Sequence, residues 1–244
     1  YCGKETMVPV TCPSCGSRYI KFFGAGTQKV EEEVAKVFKG IRMIRMDNDT
    51  TQTKDAHFQL LQKFKNGEAQ VLIGTQMIAK GLDFPNVTLV GVIAADTTLN
   101  LPDYRSAEKT FQLITQVAGR AGRDAKSGKV IVQTYSPQHY SILKASRHDY
   151  KGFYEQEIQN RQKWQYPPFT VFLRFLLQGE NEDLVEEDCT KLMGEVKQVM
   201  ESFPSCSKYI LYCQCMPAPL ARVKGKYRWQ ILIKLFENQE TLKM

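Results

Sequence analysis

No run of about 18 apolar residues occurs anywhere in the chain, so no segment is predicted to cross a bilayer as a helix, and no apolar signal region opens it. Equally missing is a Gly-x-x-x-x-Gly-Lys-Ser/Thr loop, which excludes a triphosphate site built here around a Walker-type lysine. The Gly24-Ala25-Gly26 turn has no third glycine and so is not the dinucleotide fingerprint. No predicted strand ends in a paired acidic motif placed to hold magnesium. Cysteines number seven, an odd count without a secretory signal, which argues against a disulfide framework and for reduced, partly metal-binding thiols in the cytoplasm. The first residue is Tyr1 rather than methionine, and the chain is read as part of something longer.

What is present suits one large domain or two ordinary ones: 244 residues, 43% hydrophobic and 24% charged, a globular composition. A formal charge of +7 favours a polyanionic partner. Gln116 to Arg123, Gln-Val-Ala-Gly-Arg-Ala-Gly-Arg, follows a helical run from Ala107 to Val117 and sets Arg120 and Arg123 near one face of a helix end. Guanidinium is always charged and its planar fork fits phosphate oxygens, while the preceding glycines let another backbone come close. A pair held this way suits the charge that develops during phosphoryl transfer. The same octet also reads as a helix C-terminus with a glycine cap and arginines set against the dipole.

Taken in order, the chain opens on Cys2-Gly3 and then Cys12-Pro13-Ser14-Cys15-Gly16. The Cys-x-x-Cys knuckle lets two thiolates converge on one tetrahedral zinc, with Cys2 the sole nearby candidate for a third of the four ligands needed. From Arg18 strand and helix alternate. A strand at Tyr19 to Phe23 turns through Gly24 to Thr27 into a helix with Val30, Val34, Val37 and Phe38 on one face. A second strand spans Ile41 to Met46, a helix Asp55 to Lys65 carries Phe58, Leu61 and Phe64, and a third strand spans Gln70 to Ile73. Val87 to Ala95, apolar on both faces, is predicted to be a buried parallel strand. This order implies a doubly wound α/β sheet with function at the strand C-terminal ends. There stand Thr75, able to offer a hydroxyl and backbone donors to phosphate at a helix start, and Asp83, able to accept from a ribose hydroxyl. An N-cap and a turn aspartate account for the same two residues.

Thr75 to Asp83 resembles helicase motif V, and Gln116 to Arg123 resembles motif VI, of lobe 2 of a superfamily 2 helicase. The cysteine prelude, Gly24-Ala25-Gly26-Thr27, Gly74 to Gly81, Leu101-Pro102-Asp103-Tyr104-Arg105-Ser106-Ala107-Glu108 and Tyr166-Pro167-Pro168-Phe169 narrow the resemblance to the PriA family of bacterial primosomal replication-restart helicases. The resemblance implies a RecA-like helicase lobe 2, a parallel sheet with flanking helices, over 18–146. A partial zinc-binding segment at 1–17 precedes it, a helical linker at 147–168 follows, and a small α+β C-terminal domain of the ribosomal-S10 type occupies 169–244. It implies that Arg120 and Arg123 are arginine fingers on ATP with Mg2+ held mainly by a lobe 1, with Gln116 placing them. Gly81, Asp83 and Gly119 would approach the nucleotide, Thr75 would contact a DNA-strand phosphate, and Cys2, Cys12 and Cys15 would bind Zn2+. Gln28 and Ala94 depart from the residues common in the family, glutamate at the first and an acid or amide at the second, and carry no assigned role.

After the octet, Lys129 to Tyr135 is predicted as a strand, with helices from His139 to Ser146 and from Asp149 to Trp164. Beyond Tyr166-Pro167-Pro168-Phe169 come a strand at Thr170 to Leu177, a helix at Asp183 to Ser202, a strand at Lys208 to Met216, and a hairpin from Arg222 to Leu235 turning at Lys224-Gly225-Lys226. Arg222, Lys224, Lys226 and Arg228, interleaved with Tyr227 and Trp229, are candidates to grip DNA phosphates and stack on a base. A solvated basic hairpin with Trp229 in the core is the other reading. Cys189, Cys206, Cys213 and Cys215 have no knuckle spacing and are read as buried or incidental thiols. The implied function is ATP-dependent unwinding at stalled or branched replication forks, with single-strand-binding protein and primosome loader proteins as partners and no membrane. A non-catalytic branched-DNA scaffold is the alternative. This chain by itself is expected to hydrolyse no ATP.

Overall fold

A computed structural model describes residues 9–19, 26–47, 50–51, 54–79, 84, 86–119, 128–203 and 208–236. The chain divides into two units, Val8–Tyr154 and one containing Glu155–Met244. The first carries α1 (Thr27–Val37), β1 (Met43–Met46), α2 (Lys54–Lys65), β2 (Val71–Gly74), a short 3-10 turn (Gln76–Ala79), β3 (Leu89–Val92), α3 (Asp96–Leu99), α4 (Ser106–Ala118), β4 (Lys129–Val132) and α5 (Tyr140–Ser146). The division falls inside α6 (Tyr150–Lys163), ahead of the Tyr166-Pro167-Pro168-Phe169 break. The strand expected at Tyr19 to Phe23 lies, but for Tyr19, outside the described residues, as do Gly24 and Ala25.

The α/β class is as expected, with parallel pairing among the described strands of this unit. Among the described residues the strands form two parallel pairs: β1 with β2, Met43 opposite Val71 through Met46 opposite Gly74, and β3 with β4, Leu89 opposite Lys129 through Val92 opposite Val132. The chain reverses after α2 at Gly67, φ 77, where Gly67 N–H bonds Phe64 O at 3.0 Å and Glu68 N–H bonds Lys63 O at 3.0 Å. That is a Schellman cap, and it needs a residue tolerant of the left-handed region. Along α2, Leu61 is buried and Phe64 meets Phe84 edge-on, while Phe58 is exposed.

Two expectations of burial are corrected here. β3 is not covered on both faces: α4 packs against the β3–β4 pair and Val132 joins its core, whereas Leu89 and Ile131 on the opposite face are exposed. An apolar strand can supply two faces, but among the described residues a helix covers one. On α1, Val30 and Val34 are half-buried while Val37 and Phe38, at the helix end, are exposed. The unit's core is elsewhere, between α4, α5 and the first half of α6. There Phe111, Ile114, Ile142, Ala145 and Phe153 are buried together, with the Phe111 and Phe153 rings stacked at 4.2 Å.

The second unit holds β5 (Thr170–Gly179), α7 (Glu182–Ser202), β6 (Ile210–Val223) and β7 (Lys226–Phe236), an antiparallel sheet in the order β5-β7-β6. Asn181 starts α7 by accepting the Leu184 N–H at 3.2 Å, with Glu182 and Asp183 in the first turn suiting the helix dipole. Cys189 and Met193 of α7 pack on Ile231 and Ile233 of β7. The strand expected to end at Met216 continues to Val223. Pro217 and Pro219 have no backbone N–H, but β6 is an edge strand and its register shifts between Pro217 and Arg222, which is where a sheet accommodates such residues. Lys224 (φ 51) and Gly225 (φ 81) make the two-residue turn whose twist matches the flanking strands.

Candidate functional site

The parallel strands of the first unit deliver their C-terminal ends to a set of polar side chains. β2 stops at Gly74, where a Cβ would sit 2.6 Å from the Met46 carbonyl oxygen and 2.9 Å from an Ile78 methyl. Glycine is therefore the residue that lets the 3-10 turn fold back against the end of β1. Thr75 stands exposed at the start of that turn, its carbonyl taking the Ile78 N–H at 3.2 Å. Gln76 sends its side-chain amide to Thr98 Oγ1 at 3.2 Å and so ties the turn to α3. Gly81 and Asp83 lie outside the described residues.

α4 leads into the second motif. Its start is knotted by Asp103, whose carboxylate accepts the Arg105 N–H at 2.9 Å, Arg105 Nε at 3.2 Å, Arg105 Nη2 at 3.2 Å and the Lys109 ammonium. Burial works against that charge, but the hydrogen bonds from Arg105 and Lys109 outweigh it and hold the carboxyl well below the usual carboxylate range. α4 packs against the 3-10 turn. Gln116 is half-buried in its last turn, and Gly119 caps the end, its N–H bonding Thr115 O at 3.1 Å. Arg120 and Arg123 lie outside the described residues. Thr75, Gln116 and Gly119 are thus carried by two elements in contact.

Three residues not singled out from the sequence complete the strand ends. Asp96, 3% exposed, receives Thr134 Oγ1 at 3.1 Å and the Tyr135 N–H at 3.0 Å, joining the segment after β3 to the segment after β4. With Thr97, Asn100, Tyr135 and Ser136 it lines a cavity of about 460 Å³. Asp47, at the end of β1, accepts Thr27 Oγ1 at 2.7 Å and the Thr50 N–H at 3.0 Å, and pairs with Arg45 at 3.1 Å. The Thr27 hydroxyl first, and then the Thr50 amide, draw its carboxyl down to about 2. The signal available in the sequence was position alone, since each of Asp47, Asp96 and Tyr135 follows a strand of a parallel sheet. Ala94, where an acid or amide is common in the family, has φ 57, a left-handed conformation that asparagine and aspartate adopt more readily than alanine.

At the start of the chain, Cys12 and Cys15 form the knuckle, closed by Gly16 N–H to Cys12 O at 2.8 Å and Cys12 N–H to Ser17 O at 2.8 Å. The backbone N–H groups of Cys15 and then Ser14 lower the Cys12 thiol from its ordinary value. A thiolate so favoured fits a metal ligand. Cys2 lies outside the described residues, and among those described no three potential ligands gather. In the hairpin, Lys224 and Lys226 are exposed, and the Arg222 guanidinium stands 4.8 Å from the Tyr227 ring centre. Arg228 lies opposite Gln178 with its Nε buried and, among the described residues, without an acceptor. Trp229 packs against the core of α7 and β7, so the ring available beside the basic residues is that of Tyr227.

This parallel α/β unit is of the helicase C-terminal class. The family model described as Helicase conserved C-terminal domain matches residues 16–125, and the one described as Primosomal protein N C-terminal domain matches 162–243. Three curated relatives, each named Replication restart protein PriA, are similar to nearly the whole chain. That of Bacillus subtilis is 51% identical over 99% of this chain and 29% of its own length. That of Synechocystis sp. is 45% identical over 96% and 27%, and that of Chlamydia pneumoniae 40% over 93% and 30%. The chain belongs to the replication restart protein PriA family and spans under a third of the length of these relatives. Among the described residues no helix is long and apolar enough to cross a membrane.

Proposed function

We propose that this chain supplies the second motor lobe and the C-terminal DNA-binding domain of an ATP-dependent DNA helicase that works at stalled or branched replication forks and helps assemble the primosome in the cytoplasm. The observation that carries the reading is the packing of α4, which leads into the arginine octet, against the 3-10 turn that follows Thr75. A motor needs its nucleotide-sensing and strand-holding groups on one rigid surface, because hydrolysis has to be felt as a change in grip. In this scheme Arg120 and Arg123, positioned by Gln116, stabilise the charge on a γ-phosphoryl group of ATP and Mg2+ held by a separate phosphate-loop lobe. Gly81, Asp83 and Gly119 approach the nucleotide from this side. Thr75 holds a DNA-strand phosphate, and Arg222, Lys224, Lys226 and Arg228 add backbone contacts whose strength falls with salt. Cys12 and Cys15, with Cys2, hold zinc, which cross-links the segment preceding the lobe. Single-strand-binding protein and primosome loader proteins are the partners of this activity.

The chain alone has no phosphate loop of the Walker type and is proposed to turn over no ATP. The test is the full-length protein with Arg123→Ala, assayed for ATP hydrolysis on forked DNA. An arginine finger contributes about a thousandfold or more in rate, so turnover should fall to near the DNA-free background while fork binding persists. Normal DNA-stimulated hydrolysis in this variant would refute the motor assignment and favour a branched-DNA scaffold.

A further inference from the structure

The cavity at the ends of β3 and β4 is not used by the motor residues described above, yet it is built with care. Tyr135 is 83% exposed, but the backbone on either side of its ring is fixed. Its own N–H is held by Asp96 Oδ2 at 3.0 Å, and the next N–H, that of Ser136, is held by Thr134 Oγ1 at 2.9 Å. Thr134 is in turn held by Asp96 Oδ1 at 3.1 Å. A large apolar ring is thus displayed to solvent from a loop that a buried carboxylate anchors. Both Asp96 oxygens are already engaged beneath the cavity, and the remaining lining groups, Thr97, Asn100 and Ser136, are small, neutral donors and acceptors.

The cavity also connects directly to Thr75. Thr98, the residue after Thr97, receives the Gln76 side chain at 3.2 Å, and Gln76 follows Thr75. Thr75 and Gln76 follow β2, Thr97 follows β3 and Tyr135 follows β4, so all four stand at the C-terminal ends of parallel strands, where ligands bind in such folds, and the Gln76–Thr98 bond ties the first pair to α3.

We propose that Tyr135 is a stacking platform for a base of an unpaired DNA strand, with Thr97, Asn100 and Ser136 lining the space that base occupies. This rests on the reading of Thr75 as a contact to a DNA strand, and it assigns the next position along that strand. Stacking on an aromatic ring is tolerant of sequence, because every base has a π-face, and suits an enzyme that must move along any strand.

The experiment measures binding of a fluorescein-labelled oligothymidine to this chain by anisotropy, with Tyr135→Ala, Tyr135→Phe and Thr75→Ala alongside the unchanged protein. Loss of one base–aromatic stack weakens binding by about fivefold to a hundredfold. Tyr135→Ala should fall in that range and Tyr135→Phe should bind within about twofold of the parent, since phenylalanine keeps the ring. The slope of affinity against salt should be unchanged, because no phosphate contact is removed. On an oligonucleotide with abasic sites throughout, the parent and Tyr135→Ala should bind alike. Equal loss on the abasic strand would overturn stacking. Parent-like binding by Tyr135→Ala, with Thr75→Ala weakened, would overturn the platform and leave the strand contact standing. Parent-like binding by both would overturn the strand contact and the platform with it.

Discussion

Gly74→Ala should destabilise the first unit through a backbone clash at the end of β2. A Cβ at this position would meet the Met46 carbonyl oxygen at 2.6 Å and Ile78 Cγ2 at 2.9 Å. The isoleucine can yield by a change of rotamer, but the carbonyl belongs to the backbone of β1, directly opposite Gly74 in the ladder. Relief requires the end of β1 to separate from β2, or the Thr75–Ala79 segment to lift. Overpacking of this kind costs about 1 to 3 kcal/mol. In a unit of this size each kcal/mol lowers the melting temperature by about 2 to 4 °C, so a drop of roughly 2 to 12 °C is expected. Far-UV circular dichroism should show the fall. A variant that melts with the parent by circular dichroism would refute the reasoning, since it would mean that the β1–β2 end accepts a methyl group at no cost.

Acid should loosen the first unit through Asp47 and Asp103. Both carboxyls are depressed in the folded state, so each contributes stability above its unfolded value and loses it as pH falls toward the folded one, a window from about pH 4 to 2 for Asp47. Asp47→Asn should flatten the decline of melting temperature over that window, and an unchanged slope would remove Asp47 from the explanation. Zinc should protect Cys12 and Cys15 from iodoacetamide while leaving Cys189, whose thiol burial pushes up to about 12, slow to react with or without metal. Mass-spectrometric mapping reads this directly, and alkylation of Cys12 and Cys15 at the same rate with zinc present would remove them from the metal site.

The alternation of strand and helix in the first unit was legible because each element carries its own period and stop signal. α2 shows this well: Leu61 and Phe64 mark its buried side, and Gly67 marks its end. β6 was legible only in part. Pro217 and Pro219 lack the N–H that a central strand needs, and nothing local reveals that this strand lies at a sheet edge, where that N–H is dispensable. Burial of Leu89 was misjudged for a similar reason, since hydrophobicity records what a face could bury and not whether another element covers it. Trp229 had two open readings because an aromatic ring among basic residues suits a core or a nucleic acid equally, and strand alternation in β7 then sets it with Ile231 and Ile233.

The polar network at the strand ends was hidden in another way, because its members come from distant parts of the chain. Asp96 meets Thr134 and Tyr135 at separations of 38 and 39 residues, and Gln76 meets Thr98 at 22. No local pattern encodes such contacts, and each residue alone passes for a turn aspartate or a surface amide. Their arrangement nonetheless follows from parallel topology. Parallel strands bring their C-terminal ends to one side, where the loops carry unpaired backbone groups that need partners. Asp96 meets that need for Tyr135, and Gln76 links the neighbouring loop to the same helix start. A movement of the 3-10 turn after Thr75 would pass through the Gln76–Thr98 bond to α3, whose first residue fixes Tyr135, so that the loops after β2, β3 and β4 would shift together.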